Sequence, residues 1–373
     1  MEKIVRFFEC LAPISICNLE CEYCYLIQQN RRNMNDPEWD FTPEHVSKAL
    51  TKKRLGGMCY FSICGTGETL LSNDVIKLAS LLLEEGHIVN ITTNGTLTKQ
   101  IEKLLSASKS NLENLHLSFS FHYIELKKRG LLDVFFENIK RVRNAGCSFV
   151  LQLNMYDGYY DYIDEIKQVS IKNVGALPQI ALTRKDSKTK NDRKSYEIYT
   201  AGSIDKYLEK AREFESPLFE CTYKNFNVKR KEFCYAGLYS GVLDLKNGEL
   251  RQCYMTKPQN IFSDIEKEII FSPVGKNCPN AYCINSSHFL SFGLIPQLQL
   301  PSYSQLRNRE EADWYSDKLN KCLSVKLTDG KAMSWVDRAI IDIKNTPQKF
   351  RRIISSSIGT NIKSKVYNLL YKR

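Results

Sequence analysis

Short apolar runs alternate with amphipathic stretches through the first half of the chain. Ile4–Phe8, Met58–Ile63, Ile88–Thr92, Leu115–Phe119, Ser148–Asn154 and Ala176–Leu182 read as buried strands. Between them, helical periodicity runs from Thr42 to about Arg54, Asp74 to Glu85, Lys99 to Ser106, Val134 to Asn144 and Tyr162 to Ser170. Thr42-Pro43-Glu44 has the form of an N-cap followed by proline at the first helical position, and Gly86 and Gly146 stand where two of the helices should stop. Six strand-then-helix units predict parallel strands. The fold class is therefore α/β, a partial (β/α)6 TIM-like barrel over residues 1–182, with the cysteine-rich remainder as a C-terminal extension.

After Thr183 the rhythm breaks. Residues 183–220 read as a charged linker and one helix, about Ile204–Phe214. Residues 221–299 are cysteine-rich with short strand-like pieces, and 300–373 are polar and helical in flavour. After Asp342 no acidic residue occurs, and Phe350, Ile354, Ile358, Ile362, Val366 and Leu369 recur at helical spacing among lysines and arginines. That tail reads as an amphipathic basic helix interrupted at Gly359, docking either on the protein's own core or peripherally on an anionic membrane surface.

The 373 residues are 43% hydrophobic and 25% charged, which suits a folded globular chain and excludes wholesale disorder. The net charge of +11 is scattered over the helices, in no recognised nucleic-acid module, so nucleic acid is not an expected partner. No apolar run approaches the roughly 18–20 residues of a membrane span. The N-terminus carries acids and lacks a signal-peptide cleavage pattern, which predicts a cytoplasmic protein. Against that background thirteen cysteines are anomalous. In a reducing compartment so many thiols point to metal or cluster ligation rather than disulfides.

Cys17-Asn-Leu-Glu-Cys21-Glu-Tyr23-Cys24 places three thiols at C-x3-C-x2-C, after a strand and before the first barrel helix. Three thiolates on one tight loop suit three irons of a 4Fe-4S cubane, leaving the fourth iron open to a chelating ligand. A zinc site would want a fourth cysteine or histidine nearby, and His45 falls inside a predicted helix.

This spacing, with an aromatic residue before the third cysteine, resembles the radical S-adenosylmethionine (SAM) superfamily. The resemblance implies a SAM-binding 4Fe-4S cluster on Cys17, Cys21 and Cys24, with Tyr23 beside it. Cys64-Gly65-Thr66-Gly67-Glu68 after the second strand looks like the family's glycine–glycine–glutamate segment, which cradles the methionine amino group, with Thr66 in place of one glycine. Glycines there would allow close backbone approach and positive φ. Thr92-Thr-Asn94-Gly95 resembles the strand-end turn that faces SAM, and Ser118, Ser120 and Asn154 are its ribose or carboxylate partners by position. All lie at strand C-terminal ends, the active-site face of such barrels. The implied chemistry is the cofactor's: reductive cleavage of SAM, then hydrogen abstraction from a C–H bond, with electrons from a donor such as flavodoxin or ferredoxin.

A second group comprises Cys234, Cys253, Cys278 and Cys283. Asn247-Gly248 is a hairpin turn signal that would bring Cys234 and Cys253 together, and the later pair could close a four-thiolate site. The pattern resembles the SPASM and twitch auxiliary-cluster extensions, and with four well-placed cysteines implies one auxiliary 4Fe-4S cluster. Cys221 is an alternative ligand, and a structural zinc tetrathiolate fits the same spacing.

Cys10, Cys59, Cys147 and Cys322 read as buried structural thiols, and His116 as a core or surface residue. Cys64 stands at a strand end where a hydrogen donor would be needed. Glu68 could serve as a base, and His122 and Tyr123 are placed to face the substrate mouth. The leading function is a radical SAM oxidoreductase acting on a small-molecule or glycan substrate by dehydrogenation or epimerisation. The alternatives are a SPASM-type peptide or protein maturase acting on a precursor peptide, and a non-catalytic iron–sulfur carrier.

Overall fold

The computed structural model describes residues 2–31, 38–109, 111–186, 196–276, 278–280, 282–283, 287–331 and 333–345. The amphipathic tail expected after Asp342 lies, beyond Asn345, outside the described residues, as does most of the basic run Arg184–Lys194. Among the described residues no helix is long and apolar enough to cross a membrane.

The first part of the chain runs β1 (Arg6–Ala12), α1 (Tyr25–Gln28), α2 (Pro43–Ala49), α3 (Lys52–Leu55), β2 (Cys59–Gly65), α4 (Asn73–Glu84) and β3 (Ile88–Thr93). It continues through α5 (Thr98–Ala107), β4 (Leu115–Ser120), α6 (Tyr123–Lys128), α7 (Leu132–Asn144), β5 (Ser148–Met155), α8 (Ile163–Val174) and β6 (Gln179–Leu182). These strands pair in parallel in chain order, β1 to β6. Their outward residues, such as Phe61, Ile91, Leu117, Phe149 and Leu153, are buried, while inward positions keep polar side chains. The helices have the signals that specify them. Ser72 caps α4 by accepting from the Val75 amide, and Gly86, at φ +84°, ends it in a conformation glycine adopts without strain.

One expected helix is two. The run from Thr42 to Arg54 breaks at Leu50, whose carbonyl accepts from His87 Nε2 at 2.9 Å. Thr51 then caps a new helix through the Arg54 amide. The short helix α6 was not anticipated, because six residues hold too few turns to show a period.

The second part comprises β7 (Arg184–Lys185), β8 (Glu197–Ile198), α9 (Ile204–Arg212), α10 (Pro217–Asn225), β9 (Ser240–Asp244), β10 (Glu249–Arg251), β11 (Gln259–Asn260), α11 (Tyr303–Arg307), α12 (Asp317–Leu323) and α13 (Trp335–Asn345). The sheet does not stop at six strands. β9 pairs in parallel with the free edge of β1, and β10 and β11 add antiparallel to it, giving nine strands in the order β11-β10-β9-β1-β2-β3-β4-β5-β6. The extension therefore continues the barrel sheet and covers an edge that would otherwise be open.

The segment around α11 and α12 fills the barrel at the strands' N-terminal ends. Phe7 stacks on Phe292 at 4.8 Å, Tyr303 meets Tyr60, and buried Trp314 donates through Nε1 to the Val174 carbonyl. His116 belongs to this floor: it is fully buried, with Nδ1 3.1 Å from the Tyr60 hydroxyl and its ring edge-on to Tyr315.

Candidate active site

The loop after β1 carries Cys17, Cys21 and Cys24 to the strands' C-terminal edge and is docked there by backbone. The amides of Thr66 and Gly67 both donate to the Ile14 carbonyl, and that of Glu68 to the Ile16 carbonyl, each at 2.9 Å. A Cβ at Gly65 would stand 2.1 Å from Ile14 Cγ2, and one at Gly67 2.1 Å from the Ile16 oxygen. Neither glycine has positive φ. The positive φ expected at these glycines is thus corrected: in this conformation their missing side chains let the cysteine loop lie directly on the end of β2.

Glu68 and Asn94 hold the same junction. The buried Glu68 carboxylate accepts from Thr93 Oγ1 at 2.7 Å, the Asn94 amide at 2.7 Å and the Leu70 amide at 3.0 Å. Burial pushes its acidity down, raising the pKa, and these three bonds oppose that. With its oxygens so engaged, Glu68 is a brace between β2 and β3 and not a free base. Asn94 Nδ2 donates to Asn18 Oδ1 at 2.7 Å and approaches Cys17 Sγ at 3.8 Å, tying the β3 turn to the cysteine loop.

Tyr23 anchors the loop from the other side. Its hydroxyl lies 2.6 Å from His122 Nδ1 and 3.2 Å from the Tyr159 hydroxyl, and its ring packs on Tyr156 at 4.7 Å. Burial pushes the His122 pKa down to about 4, so the ring is neutral and fixed in this contact. Tyr123 does not face the mouth as expected. It is buried edge-on to Phe121, because α6 begins there and turns it into the core.

All three cysteines line one cleft of about 370 Å³ with Tyr25, Cys64, Gly65, Gly67, Glu68, Asn94, Ser120, Gln152 and Asn154. Burial, then the neighbouring Cys24 and Cys17, push the Cys21 thiol well up; burial chiefly does the same to Cys17, whose sulfur accepts from the Leu19 amide at 3.4 Å. Thiols that oppose one another's ionisation need a cationic centre between them to become thiolates together. The donor set therefore fits a cluster held on three cysteines.

Behind the cleft lies an inner chamber of about 270 Å³, inside the barrel. Thr92, Ser120, Gln152, Asn154, Leu182, Arg184 and Tyr196 line both spaces, so the two adjoin. Ser118, expected beside SAM, lines only the chamber: its hydroxyl donates to Asn90 Oδ1 at 2.9 Å, and Asn90 Nδ2 to Ser62. Cys64 donates to the Gly65 carbonyl at 3.2 Å, and burial pushes its thiol up to about 12.

The second group of cysteines also comes together. The Asn247-Gly248 turn joins β9 to β10, with Gly248 at φ +78°. Cys234 bridges to Gly275 through paired backbone bonds, and the Cys283 amide donates to the Val228 carbonyl at 3.0 Å. Burial first, then Cys253, Cys283 and Cys278, push the Cys234 thiol up; burial, then Cys283 and Cys278, push Cys253 up to about 12. Asn280 Nδ2 donates toward Cys253 Sγ at 3.6 Å. Among the described residues no three His, Cys, Asp or Glu side chains stand at the spacing of a single metal ion. Cys221, weighed as a substitute ligand, packs instead with Leu218 and Leu306 in a separate apolar cluster, because α10 turns it away.

Several lining residues had no earlier claim. Gln152 sits two positions before Asn154 on β5 and so shares its inward face, a signal that period-two reading contained. Arg184, Tyr196, His288, Tyr303 and Arg307 come from the second part of the chain, where no motif marks them.

A sheet of parallel strands carries three cysteines on the loop after the first, at the strands' C-terminal edge. Residues 11–169 match the Radical SAM superfamily. Less than half of the chain is thus similar to that family, which implies a 4Fe-4S cluster and SAM over the matched residues. No curated protein sequence matches the chain. Its fold is similar to that of SuiB from Streptococcus suis bound to S-adenosylmethionine, at 18% identity and TM-score 0.47, over 70% of this chain and 64% of that one. The chain thus spans less than two thirds of SuiB. Native anSMEcpe with bound AdoMet is similar at 15% identity and TM-score 0.48, over 94% and 99% of the two chains. BtrN in complex with AdoMet and 2-DOIA is similar at 13% identity and TM-score 0.35, over 87% and 89%. No substrate follows from likenesses of this degree.

Proposed function

We propose that the protein is a radical SAM oxidoreductase acting on a small-molecule or glycan substrate by dehydrogenation or epimerisation. Cys17, Cys21 and Cys24 would hold the SAM-binding cluster. Cys234, Cys253, Cys278 and Cys283 would hold one auxiliary 4Fe-4S cluster in a SPASM/twitch-like extension over residues 221–299. The observation that carries the reading is that the cysteine-lined cleft adjoins the inner chamber at Thr92, Ser120, Gln152 and Asn154. When bound on Cys17, Cys21 and Cys24, a reduced cluster would supply the electron for SAM cleavage and with it the hydrogen-abstracting chemistry.

The chain's own part is to bind, orient and shelter. Asn94 and the Leu19 amide donate toward Cys17, and Tyr23 fixes the loop against His122 and Tyr159. Gln28 and Gln29 hold residues 184–186 over the cleft: the Asp186 amide donates to Gln28 Oε1 at 2.8 Å, and Gln29 Nε2 donates to Asp186 Oδ2 at 2.5 Å. A chamber of about 270 Å³ suits a ring-sized molecule better than an extended peptide, which favours this reading over a peptide maturase. Cys64, kept protonated by burial, lines the same cleft and would be the hydrogen donor that epimerisation requires.

Anaerobic reconstitution, iron and sulfide counting, and assay of 5′-deoxyadenosine with dithionite and SAM test the proposal. About eight irons per chain with SAM cleavage is the expected result. Zinc in place of iron, or iron without cleavage, would refute it and leave the carrier reading. Turnover of a precursor peptide in place of sugars and cyclitols would shift the assignment to a maturase.

A further inference from the structure

The floor of the inner chamber holds a cation that no carboxylate meets among the described residues. Arg307, from α11, is only 2% exposed and lines the chamber. Its Nη2 donates to the Ser287 carbonyl at 3.0 Å, and its guanidinium lies 3.9 Å from the centroid of the Tyr303 ring. Nη1 is buried and has no hydrogen-bond partner. No carboxylate pairs with Arg307 among the described residues. The Glu9 carboxylate on β1 is engaged elsewhere, by the Tyr254 hydroxyl and, at 3.8 Å, by His288 Nδ1.

A buried guanidinium that meets one carbonyl and one ring but no carboxylate keeps much of its desolvation cost, and that cost falls when an oxyanion meets its planar fork. The surroundings suit that event. Asn90, Ser118, Gln152 and Thr222 give the chamber neutral polar walls. Burial, opposed by the Glu9 contact and helped by the Arg307 charge, lowers the His288 pKa and so favours its neutral form. Arg184 stands where chamber and cleft join, over the Tyr196 ring at 5.0 Å.

We propose that Arg307 is the anion-recognition residue of the inner chamber, so that the substrate carries a carboxylate or phosphate group seated on the free Nη1 edge. This rests on the chamber being the substrate site. An anion held on the floor leaves the rest of the molecule to extend toward Ser120 and Asn154, which line both the chamber and the cysteine-lined cleft.

Equilibrium dialysis of the reconstituted full-length protein with SAM, against radiolabelled orthophosphate and separately acetate, tests this. The wild type should bind at least one of the two saturably, at one site per chain. Arg307→Gln should weaken that binding by at least about tenfold, and Arg307→Lys by less. Thr222→Asp puts a carboxylate in the chamber wall without touching the Arg307–Tyr303 stack. It should weaken binding similarly and serves where near-ultraviolet circular dichroism finds Arg307→Gln unfolded. Tighter orthophosphate than acetate assigns a phosphate-bearing substrate, and the reverse order a carboxylate. No saturable binding of either anion to the wild type overturns the proposal. So does binding unchanged in Arg307→Gln, or in Thr222→Asp where Arg307→Gln does not fold. Assay of 5′-deoxyadenosine on the same wild-type preparation separates the two readings: anion binding without SAM cleavage sinks the enzyme reading alone.

Discussion

The two groups of cysteines are assembled in opposite ways. Cys17, Cys21 and Cys24 share one loop, laid on the end of β2 by three backbone bonds and two glycines without room for a Cβ. Cys234, Cys253, Cys278 and Cys283 come from separate stretches joined by a hairpin, a bridge at Gly275 and a bond from Cys283 to Val228. The first arrangement is decided by local spacing. The second exists only when β9 has found the edge of β1. Damage to the first should therefore stay local, whereas damage to the second should spread to the fold of the extension.

The sharpest break between them comes from removing one thiol in each. Cys17→Ala should abolish SAM cleavage, by a factor on the order of a thousand or more, and remove about four of the irons. Cys253→Ala should remove the other four while electron paramagnetic resonance still sees the SAM-binding cluster. It should also lower the thermal midpoint, since Cys253 is buried behind Asn280 at the end of the hairpin. Equal loss of both clusters in either variant would mean the sites are not independent.

Glycine substitutions divide the groups by a different mechanism. Gly67→Ala drives a methyl into the Ile16 carbonyl with no backbone strain, so the loop itself must lift. The expected cost is up to about 3 kcal/mol, with iron lost at the first site only. Gly248→Ala meets both φ +78° and Phe262 Cγ at 2.5 Å, and should loosen the hairpin that brings Cys253 toward Cys234. Urea midpoints together with iron counts on the two variants check both outcomes.

The same contrast explains what could be read beforehand. Strands β2 to β5 were legible because alternate residues such as Phe61 and Ile63, or Leu117 and Phe119, are apolar under the helices. The cysteine loop was legible because its chemistry is written in eight consecutive residues. The contact made at Gly65 and Gly67 was not, since nothing in their neighbourhood in sequence announces that Ile14 and Ile16 lie on top of them. Ser118 was assigned to SAM by strand position alone, yet its bond to Asn90 places it deeper. Arg307 was invisible: it reaches the chamber from more than a hundred residues past β6, where only packing brings it home.

Acid should weaken the barrel beneath the first group. His87 accepts from the Cys59 amide at Nδ1 and donates from Nε2 to the Leu50 carbonyl, so both nitrogens are committed to the neutral ring. Burial lowers its pKa to about 4, against about 6.5 unfolded. The unfolded chain takes up the proton first as pH falls, so this contribution is complete above pH 6.5 and is lost between 6.5 and 4. At pH 5 the loss is about 2 kcal/mol. His87→Gln should flatten that part of the pH dependence of the urea midpoint, and an unchanged slope would remove His87 from the account.

The smallest effect tests how the cysteine loop is steadied on its far side. Tyr23→Phe keeps the ring on Tyr156 but deletes the hydroxyl shared with His122 and Tyr159. His122 Nδ1 then loses its partner, at a cost of about 1 kcal/mol in stability. Because the glycine-backed dock at Ile14 and Ile16 is untouched, the cluster should remain and SAM cleavage fall by only about threefold. A loss beyond about tenfold in cleavage, with iron retained, would mean that Tyr23 acts on the bound SAM itself rather than through the loop.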